Sequence, residues 1–175
     1  IVDLEDSVEA ARRPQARQLA ADYLAARGRR PEQAIWIRIN PLDSADAQAD
    51  LQAVMPAAPH GIVVPKPRRA AELVGLASAL DRLEREHGHP PGSTLLLPIV
   101  TERPEALFHL HEYAGSTPRL AGLTWGAEDL SAVVGAAAVR GANGDWLPPY
   151  ALARSLCLLA AAAAGVSAVD TVFTD

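Results

Sequence analysis

The 175-residue chain has few cysteine, lysine and aromatic side chains, and these scarcities narrow what the protein can be. Cys157 is the only cysteine, which excludes a disulfide framework and a cysteine metal cluster within one chain and favours a reducing cytoplasm as the location. The most apolar stretch, residues 155–169, is shorter than the ~20 residues that span a bilayer. We therefore expect a buried helix there and no membrane partner.

Positive charge is scarce as well. The sequence has 16 Lys and Arg residues against 21 Asp and Glu residues, for a formal net charge of -5. Such a chain offers no basic field to a nucleic-acid backbone, so a small ligand is the expected partner. With 49% hydrophobic residues, residues 1–175 are expected to form one globular domain.

Short apolar runs alternate with stretches of helical period along the whole chain. The runs predict strands buried on both faces at residues 1–4, 34–39, 61–64, 94–100, 120–125 and 168–173. The stretches between them predict helices at residues 8–27, 46–55, 69–87, 104–113 and 149–164, with Thr101 as a helix-start signal. Strand starts are about 33 residues apart, which suits both an open doubly wound sheet and a barrel with ~31 residues per unit.

Polar residues at the ends of the predicted strands favour the barrel. They are Glu5 and Asp6, Arg38 and Asn40, Lys66, Glu102, Glu128 and Asp129, and Asp175. In a barrel all these ends meet at one mouth, whereas an open sheet uses only its switch point. We predict an α/β protein with a TIM (β/α)₈ barrel. Residues 1–175 would be an incomplete catalytic domain of about six of the eight units, with both ends missing.

Two of these acids form a candidate metal site. Glu102 and Asp129 are 27 positions apart, one βα unit, which places them at neighbouring strand ends. Two carboxylates with open positions suit Mg²⁺, which retains water ligands, better than Zn²⁺, which prefers His or Cys. A helix cap or a surface ion pair is the alternative for either acid alone.

Lys66 is the only lysine in the chain and lies between Pro65 and Pro67. A lysine at a barrel strand end could form a Schiff base with a carbonyl substrate. An ion pair with a neighbouring acid, or electrostatic steering of an anionic substrate, is the simpler interpretation, and we favour it.

Five short motifs contain most of these residues. They are Asp-Leu-Glu-Asp-Ser-Val at 3–8, Trp-Ile-Arg-Ile-Asn at 36–40, Gly-Ile-Val-Val-Pro-Lys at 61–66, Pro-Ile-Val-Thr-Glu at 98–102 and Gly-Ala-Glu-Asp-Leu at 126–130. In order and spacing they resemble the citrate lyase β-subunit-like branch of the HpcH/HpaI aldolase superfamily. The resemblance extends over essentially the whole chain.

This resemblance implies a Mg²⁺-dependent carbon–carbon lyase on a TIM barrel. Its substrate would be a 3-hydroxyacyl thioester of the citryl-, malyl- or citramalyl-CoA type, cleaved to an acyl thioester and a 2-oxo acid. Glu102 and Asp129 would be the protein ligands of Mg²⁺, and Arg38 would hold substrate oxygens. Glu5 and Asp6 would line the site and hydrogen-bond water on the metal.

The chemistry of cleavage assigns further roles. The backbone amides of Gly126 and Ala127 would approach the substrate carboxylate, since glycine leaves room there. Asp6 is the candidate general base within the chain. The resemblance also implies a homo-oligomer, a trimer or hexamer, in which a neighbouring subunit's C-terminal part supplies an acid that this sequence lacks.

Two other functions remain open at this point. One is a Schiff-base aldolase that uses Lys66. The other is a non-catalytic subunit of a lyase complex that binds the acyl thioester, on CoA or on an acyl carrier protein. The sequence shows no pocket that would distinguish these two carriers.

Overall fold

The computed structural model describes residues 1–28 and 32–172, and its six strands there are parallel to their partners. They are β1 (Val2–Asp3), β2 (Trp36–Arg38), β3 (Gly61–Val64), β4 (Leu95–Pro98), β5 (Gly122–Thr124) and β6 (Ser167–Val169). Strands β1 to β4 form one sheet in chain order, and β5 pairs with β6. The predicted α/β class with parallel strands is confirmed.

Five α-helices lie between or after these strands. They are α1 (Arg13–Arg27), α2 (Asp46–Val54), α3 (Ala70–Glu86), α4 (Glu128–Val134) and α5 (Pro148–Ala164). Three segments are 3₁₀-helical: Ala10–Arg12, Met55–Ala57 and Pro104–Tyr113. The last was predicted as an ordinary helix, and α4 was not predicted. The sixth strand was predicted at residues 168–173, but the observed β6 ends at Val169. Residue 173 lies outside the described residues.

Two isolated parallel bridges connect the two sheets. They pair Leu96 with Leu120 and Ile99 with Thr124. The amide of Val100 also donates to the Thr124 carbonyl oxygen at 2.8 Å. The six strands therefore follow one another in chain order, with their carboxyl ends at one edge. Within residues 1–28 and 32–172, no pairing joins β6 to β1, so the described strands form an open series.

The core lies between the strands and the helices that cover them. All four residues of β3 are buried, as expected for a parallel strand covered on both faces. Helix α5 buries Ala153, Ala160 and Ala161 together with Cys157, whose thiol pKa is raised by burial to about 11. Cys157 is thus a core residue. None of the helices in the described ranges has the length and apolar character needed to cross a bilayer.

Gly61 is a close-packed position in the four-stranded sheet. It pairs with Trp36 on β2, and a Cβ atom at residue 61 would overlap the Trp36 ring. We expect Gly61→Ala to destabilise the protein by about 1–3 kcal/mol through overpacking, measured by urea denaturation. Gly75→Ala is the matched control, because a Cβ there meets open space in α3. The control is expected to gain about 1 kcal/mol from helix propensity. Equal stability of Gly61→Ala and the wild type would contradict this account.

Candidate active site

The ends of β1 and β2 are held together by a paired acid and base. Asp3 and Arg38 are register partners, and Arg38 binds Asp3 with two hydrogen bonds, Nε to Oδ1 at 2.7 Å and Nη2 to Oδ2 at 2.6 Å. Asp3 also accepts hydrogen bonds from the amides of Glu5 and Ser7, each at 3.0 Å. The Asp3 carboxylate therefore joins the segment that follows β1 to Arg38 of β2, and it fixes the position of the guanidinium.

Burial by itself raises the pKa of Asp3, but the hydrogen bonds from Arg38 and Ser7 outweigh it and hold that pKa well below its usual range. Asp3 is therefore a permanently charged anchor and not a proton acceptor. It was not among the candidate residues from the sequence. The available signal was a charge inside an apolar strand, opposite a cationic residue of the next predicted strand.

Lys66 follows β3 and contacts four acidic side chains. Its ammonium nitrogen contacts Glu5 and lies 3.3 Å from Asp6 Oδ2 and 3.2 Å from Asp129 Oδ1. Its backbone amide donates to Glu102 Oε2 at 2.6 Å. The Lys66 backbone has a positive φ of 54°, a left-handed conformation that few non-glycine residues adopt. This turn directs both donors of one residue toward four carboxylates.

The electrostatics of Lys66 favour an ion pair over a nucleophile. Burial alone lowers the pKa of the ammonium, but its hydrogen bond to Glu5 and the charges of Asp129 and Asp6 raise that pKa above its ordinary value. Schiff-base formation requires a neutral amine, which usually comes from a lowered pKa. The geometry therefore favours the ion-pair interpretation of Lys66.

Glu102 and Asp129 lie on neighbouring elements, Glu102 after β4 and Asp129 in the first turn of α4. Glu102 is 4% exposed, whereas the Asp129 side chain is 32% exposed. Burial raises the pKa of Glu102 to about 8, and the nearby Asp129 carboxylate adds to this rise. A second negative charge beside Asp129 is therefore unfavourable unless a cation offsets it.

The donor set fits a hard divalent cation. In the described part of the chain there is no group of three or more His, Cys, Asp or Glu side chains that could hold a metal ion, so a closed zinc site is not formed there. Two carboxylates with room for water and substrate oxygens match Mg²⁺. Such an ion would stabilise the ionised form of Glu102 beside Asp129.

We compared the sequence with models of known protein families. The model of the family described as HpcH/HpaI aldolase/citrate lyase matches residues 1–175. The chain belongs to this family. The resemblance drawn from the five motifs is confirmed.

Characterised members of the HpcH/HpaI family match this chain along its length. It is 34% identical over 173 residues to the citrate lyase subunit beta of Escherichia coli strain K12, covering 99% of this chain and 55% of that protein. A citrate lyase beta subunit from Mycobacterium tuberculosis, solved with oxaloacetate and magnesium, is 32% identical with a TM-score of 0.77, over 99% of this chain and 68% of that one.

Protein CitE from Mycobacterium tuberculosis, solved with magnesium, acetoacetate and coenzyme A, is also 32% identical, with a TM-score of 0.78. That match covers 99% of this chain and 57% of the solved one. The chain thus spans about half the length of the curated relatives it matches.

In this member of the HpcH/HpaI family, the predicted site residues fall into two groups. Around Lys66 the structure brings together Glu5, Asp6, Glu102 and Asp129, with Arg38 3.1 Å from Glu5. Glu5 is 2% exposed, and burial raises its pKa. Asp6 is about half exposed. The second group, Gly126 and Ala127, has a different environment.

Gly126 serves the protein's own packing. Its amide donates to Thr101 Oγ1 at 3.0 Å. A Cβ at residue 126 would lie 3.1 Å from Glu102 Cγ, so the absent side chain makes room for Glu102. The predicted contact of the Gly126 amide with the substrate carboxylate stays a prediction. Ala127 is buried directly before α4, and a contact from its amide stays a prediction.

Thr101 is a site residue that the sequence interpretation assigned to another role. Its hydroxyl donates to the Gly126 carbonyl oxygen at 3.2 Å and accepts from the Gly126 amide. The 3₁₀-helix that follows has Arg103 at its N-cap position without a side-chain cap, so Thr101 is not a helix-start residue. The hydroxyl instead latches the end of β4, and with it Glu102, to the segment after β5.

Loss of this latch is expected to be costly. Thr101→Val keeps the shape and removes two hydrogen bonds to the partly buried backbone of Gly126, which should destabilise the protein by about 1–3 kcal/mol in urea denaturation at about 0.5–1.5 kcal/mol per bond. Thr101→Ser keeps the hydroxyl and loses one methyl group, for an expected cost of about 0.8 kcal/mol. A valine variant as stable as the wild type would show that the latch contributes nothing.

Proposed function

We propose that this chain is part of a Mg²⁺-dependent carbon–carbon lyase that cleaves a 3-hydroxyacyl thioester to an acyl thioester and a 2-oxo acid. The observation that carries the proposal is the grouping of Glu102 and Asp129 about Lys66, at the carboxyl ends of neighbouring strands. Family membership supports it. Relatives solved with oxaloacetate and magnesium, or with coenzyme A, support the ligand classes.

Glu102 and Asp129 would hold the Mg²⁺ ion. When bound, the ion supplies Lewis-acid stabilisation of charge on the oxygens of the 2-oxo acid. Arg38 has its Nε and Nη2 atoms committed to Asp3, so Nη1, beside Glu5, is the edge that can face substrate oxygens. Because Asp3 holds the guanidinium in place, this positive charge needs no reorganisation when negative charge develops on the substrate.

Cleavage also requires a base for the substrate hydroxyl. We assign this role to Asp6, whose side chain is about half exposed and lies beside the Lys66 ammonium. The base removes the hydroxyl proton, the carbon–carbon bond breaks to leave the carbonyl of the 2-oxo acid, and the electron pair passes to the thioester fragment as an enolate. Protonation of the enolate then gives the acyl thioester. Lys66 would hold Glu5 and Asp6 in place and steer the anionic substrate.

The wider setting of the site belongs to the same proposal. We assign the six described strands to a TIM barrel, which the parallel chain-order pairing supports. The chain would act in the cytoplasm as a homotrimer or homohexamer, and the free Cys157 is compatible with a reducing compartment. Light scattering coupled to size-exclusion chromatography measures the oligomeric state.

The test of the function is turnover by the purified protein. With Mg²⁺ present, we expect release of a 2-oxo acid from at least one of citryl-, malyl- and citramalyl-CoA, and full loss of turnover in EDTA that excess Mg²⁺ reverses. Turnover that persists in EDTA, with borohydride trapping of pyruvate on Lys66, would instead show a Schiff-base aldolase. Thioester binding without cleavage, on CoA and on carrier protein alike, would show a non-catalytic subunit.

A further inference from the structure

Lys66 contacts every acid of the proposed site. Its ammonium meets Glu5, Asp6 and Asp129, and its backbone amide meets Glu102. Both proposed Mg²⁺ ligands are therefore bound to one residue, Lys66. Their two contacts differ in kind, since one is to the backbone and the other to the end of a flexible side chain.

The backbone contact is fixed and the side-chain contact is movable. Pro65 and Pro67 restrict the chain on both sides of Lys66, whose left-handed backbone holds its amide at Glu102 Oε2, 2.6 Å away. The ammonium stands on a four-carbon stem, and 18% of the side chain is exposed. It can therefore change acids without any change in the backbone.

The charges around the ammonium are unbalanced without it. Four carboxylates surround Lys66. Arg38 binds Asp3 and lies 3.1 Å from Glu5 and 3.8 Å from Asp6, so it offsets charge only among the acids that follow β1. Within the described residues, the ion pair of Asp129 is with Lys66. The ammonium thus supplies the positive charge beside Asp129.

We propose that Lys66 is a resident counter-cation that competes with Mg²⁺ for Asp129. The inference rests on the proposed function, because it takes Glu102 and Asp129 as the Mg²⁺ ligands. On metal binding the ammonium gives up Asp129 and stays with Glu5 and Asp6, while the backbone amide keeps Glu102 oriented. Lys66 therefore weakens Mg²⁺ binding and stabilises the metal-free protein.

Removal of the ammonium tests both consequences. Lys66→Met keeps the backbone amide and an unbranched side chain of similar length, and removes the charge together with the hydrogen-bond donors of the ammonium. We expect Mg²⁺, titrated calorimetrically without substrate, to bind about tenfold tighter or more, since a cation within a few ångströms of the ion is gone. Without metal, the variant should melt at a lower temperature than the wild type, and saturating Mg²⁺ should abolish this difference. Lys66→Arg keeps the charge and should match the wild type in both measurements.

The outcomes separate this inference from the function on which it rests. Unchanged or weaker Mg²⁺ binding by Lys66→Met overturns the counter-cation role, while Mg²⁺ binding by the wild type stays intact as support for the metal site. A wild type that binds no Mg²⁺ overturns the metal site itself. If Lys66→Met does not fold without metal, Lys66→Gln, which is neutral but hydrogen-bonds, is expected to show the same tighter binding and carries the same test.

Discussion

Glu102→Gln and Asp129→Asn are each expected to weaken Mg²⁺ binding by about 100-fold or more and to abolish carbon–carbon cleavage of the hydroxyacyl thioester. Each variant keeps the size of the side chain and removes one of the two charges that define the cation site. The Glu102→Gln change also affects the packing of the site, because Glu102 is buried and accepts a hydrogen bond from the Lys66 amide. Calorimetric titration with Mg²⁺ measures the loss, and circular dichroism verifies that each variant is folded.

Asp43→Asn is the control for general charge effects. Asp43 is a partly exposed acid that pairs with Arg68 at 2.8 Å and with Arg103 at 3.1 Å. Arg103 directly follows Glu102 in the sequence, so Asp43 is linked to the same strand end. Its removal lowers the local negative charge by the same amount without removing a proposed ligand. We expect affinity for Mg²⁺ within about twofold of the wild type, as exposed pairs contribute little. Wild-type affinity in both Glu102→Gln and Asp129→Asn would refute the metal site.

Glu84→Gln is expected to destabilise the protein by about 3 kcal/mol or more. Glu84, on α3, is fully buried and binds Arg119 at 2.7 Å through Nη2 and 2.8 Å through Nη1. It also accepts from the amides of Gly92 and Thr94, both at 2.8 Å. The substitution leaves the buried guanidinium of Arg119 without its main counter-charge. Chemical denaturation at pH 7 measures the loss.

The same residue gives a pH dependence with a definite sign. Burial by itself raises the pKa of Glu84, but the hydrogen bonds from Arg119, Thr94 and Gly92 lower it from 4.5 to about 2. Because the folded pKa is depressed, its stabilisation is complete above pH 4.5 and is lost as the pH falls toward 2. The wild type should lose its stability advantage over Glu84→Gln across this interval.

Asp81→Asn controls for the exposed part of the same cluster. Asp81 also contacts Arg119, but its side chain is 48% exposed, so we expect a loss below about 1 kcal/mol. A Glu84→Gln variant no less stable than Asp81→Asn would show that the buried pair does not stabilise the fold. No catalytic effect is needed to interpret this comparison, since the cluster lies at the amino-terminal side of β4 and β5.

The sequence predicted most of the strand ends and the residues that they carry. Apolar runs of strand length are local signals, and the polar residue after each run needs only the parallel order to be placed at one edge. Glu5, Asp6, Lys66, Glu102 and Asp129 were all found in this way, and the structure places them in contact through Lys66. The predicted strands at 34–39 and 94–100 exceed the observed β2 and β4, since apolar loop residues continue the pattern.

The residues that the sequence did not predict depend on contacts between distant segments. Asp3 is recognisable as the anchor of Arg38 only once the β1–β2 register is known. Thr101 pairs with Gly126 across 25 positions, and no local pattern distinguishes that hydroxyl from a helix cap. Helix α4 has seven residues, too few for a clear helical period. Tertiary geometry decided the first two cases, and the short length of α4 decided the third.

The junction between β4 and β5 has a consequence for hydrogen exchange. The four-stranded sheet and the β5–β6 pair meet through two isolated bridges, so amide protons beside them should exchange through a lower-energy opening than those within β2 and β3. Glu102 lies on one side of this junction and Asp129 on the other. A cation held by both carboxylates would connect the two sides of the junction. It would slow hydrogen exchange at the amides of Val100 and Ala121, and the four-stranded sheet and the β5–β6 pair would then open as one cooperative unit.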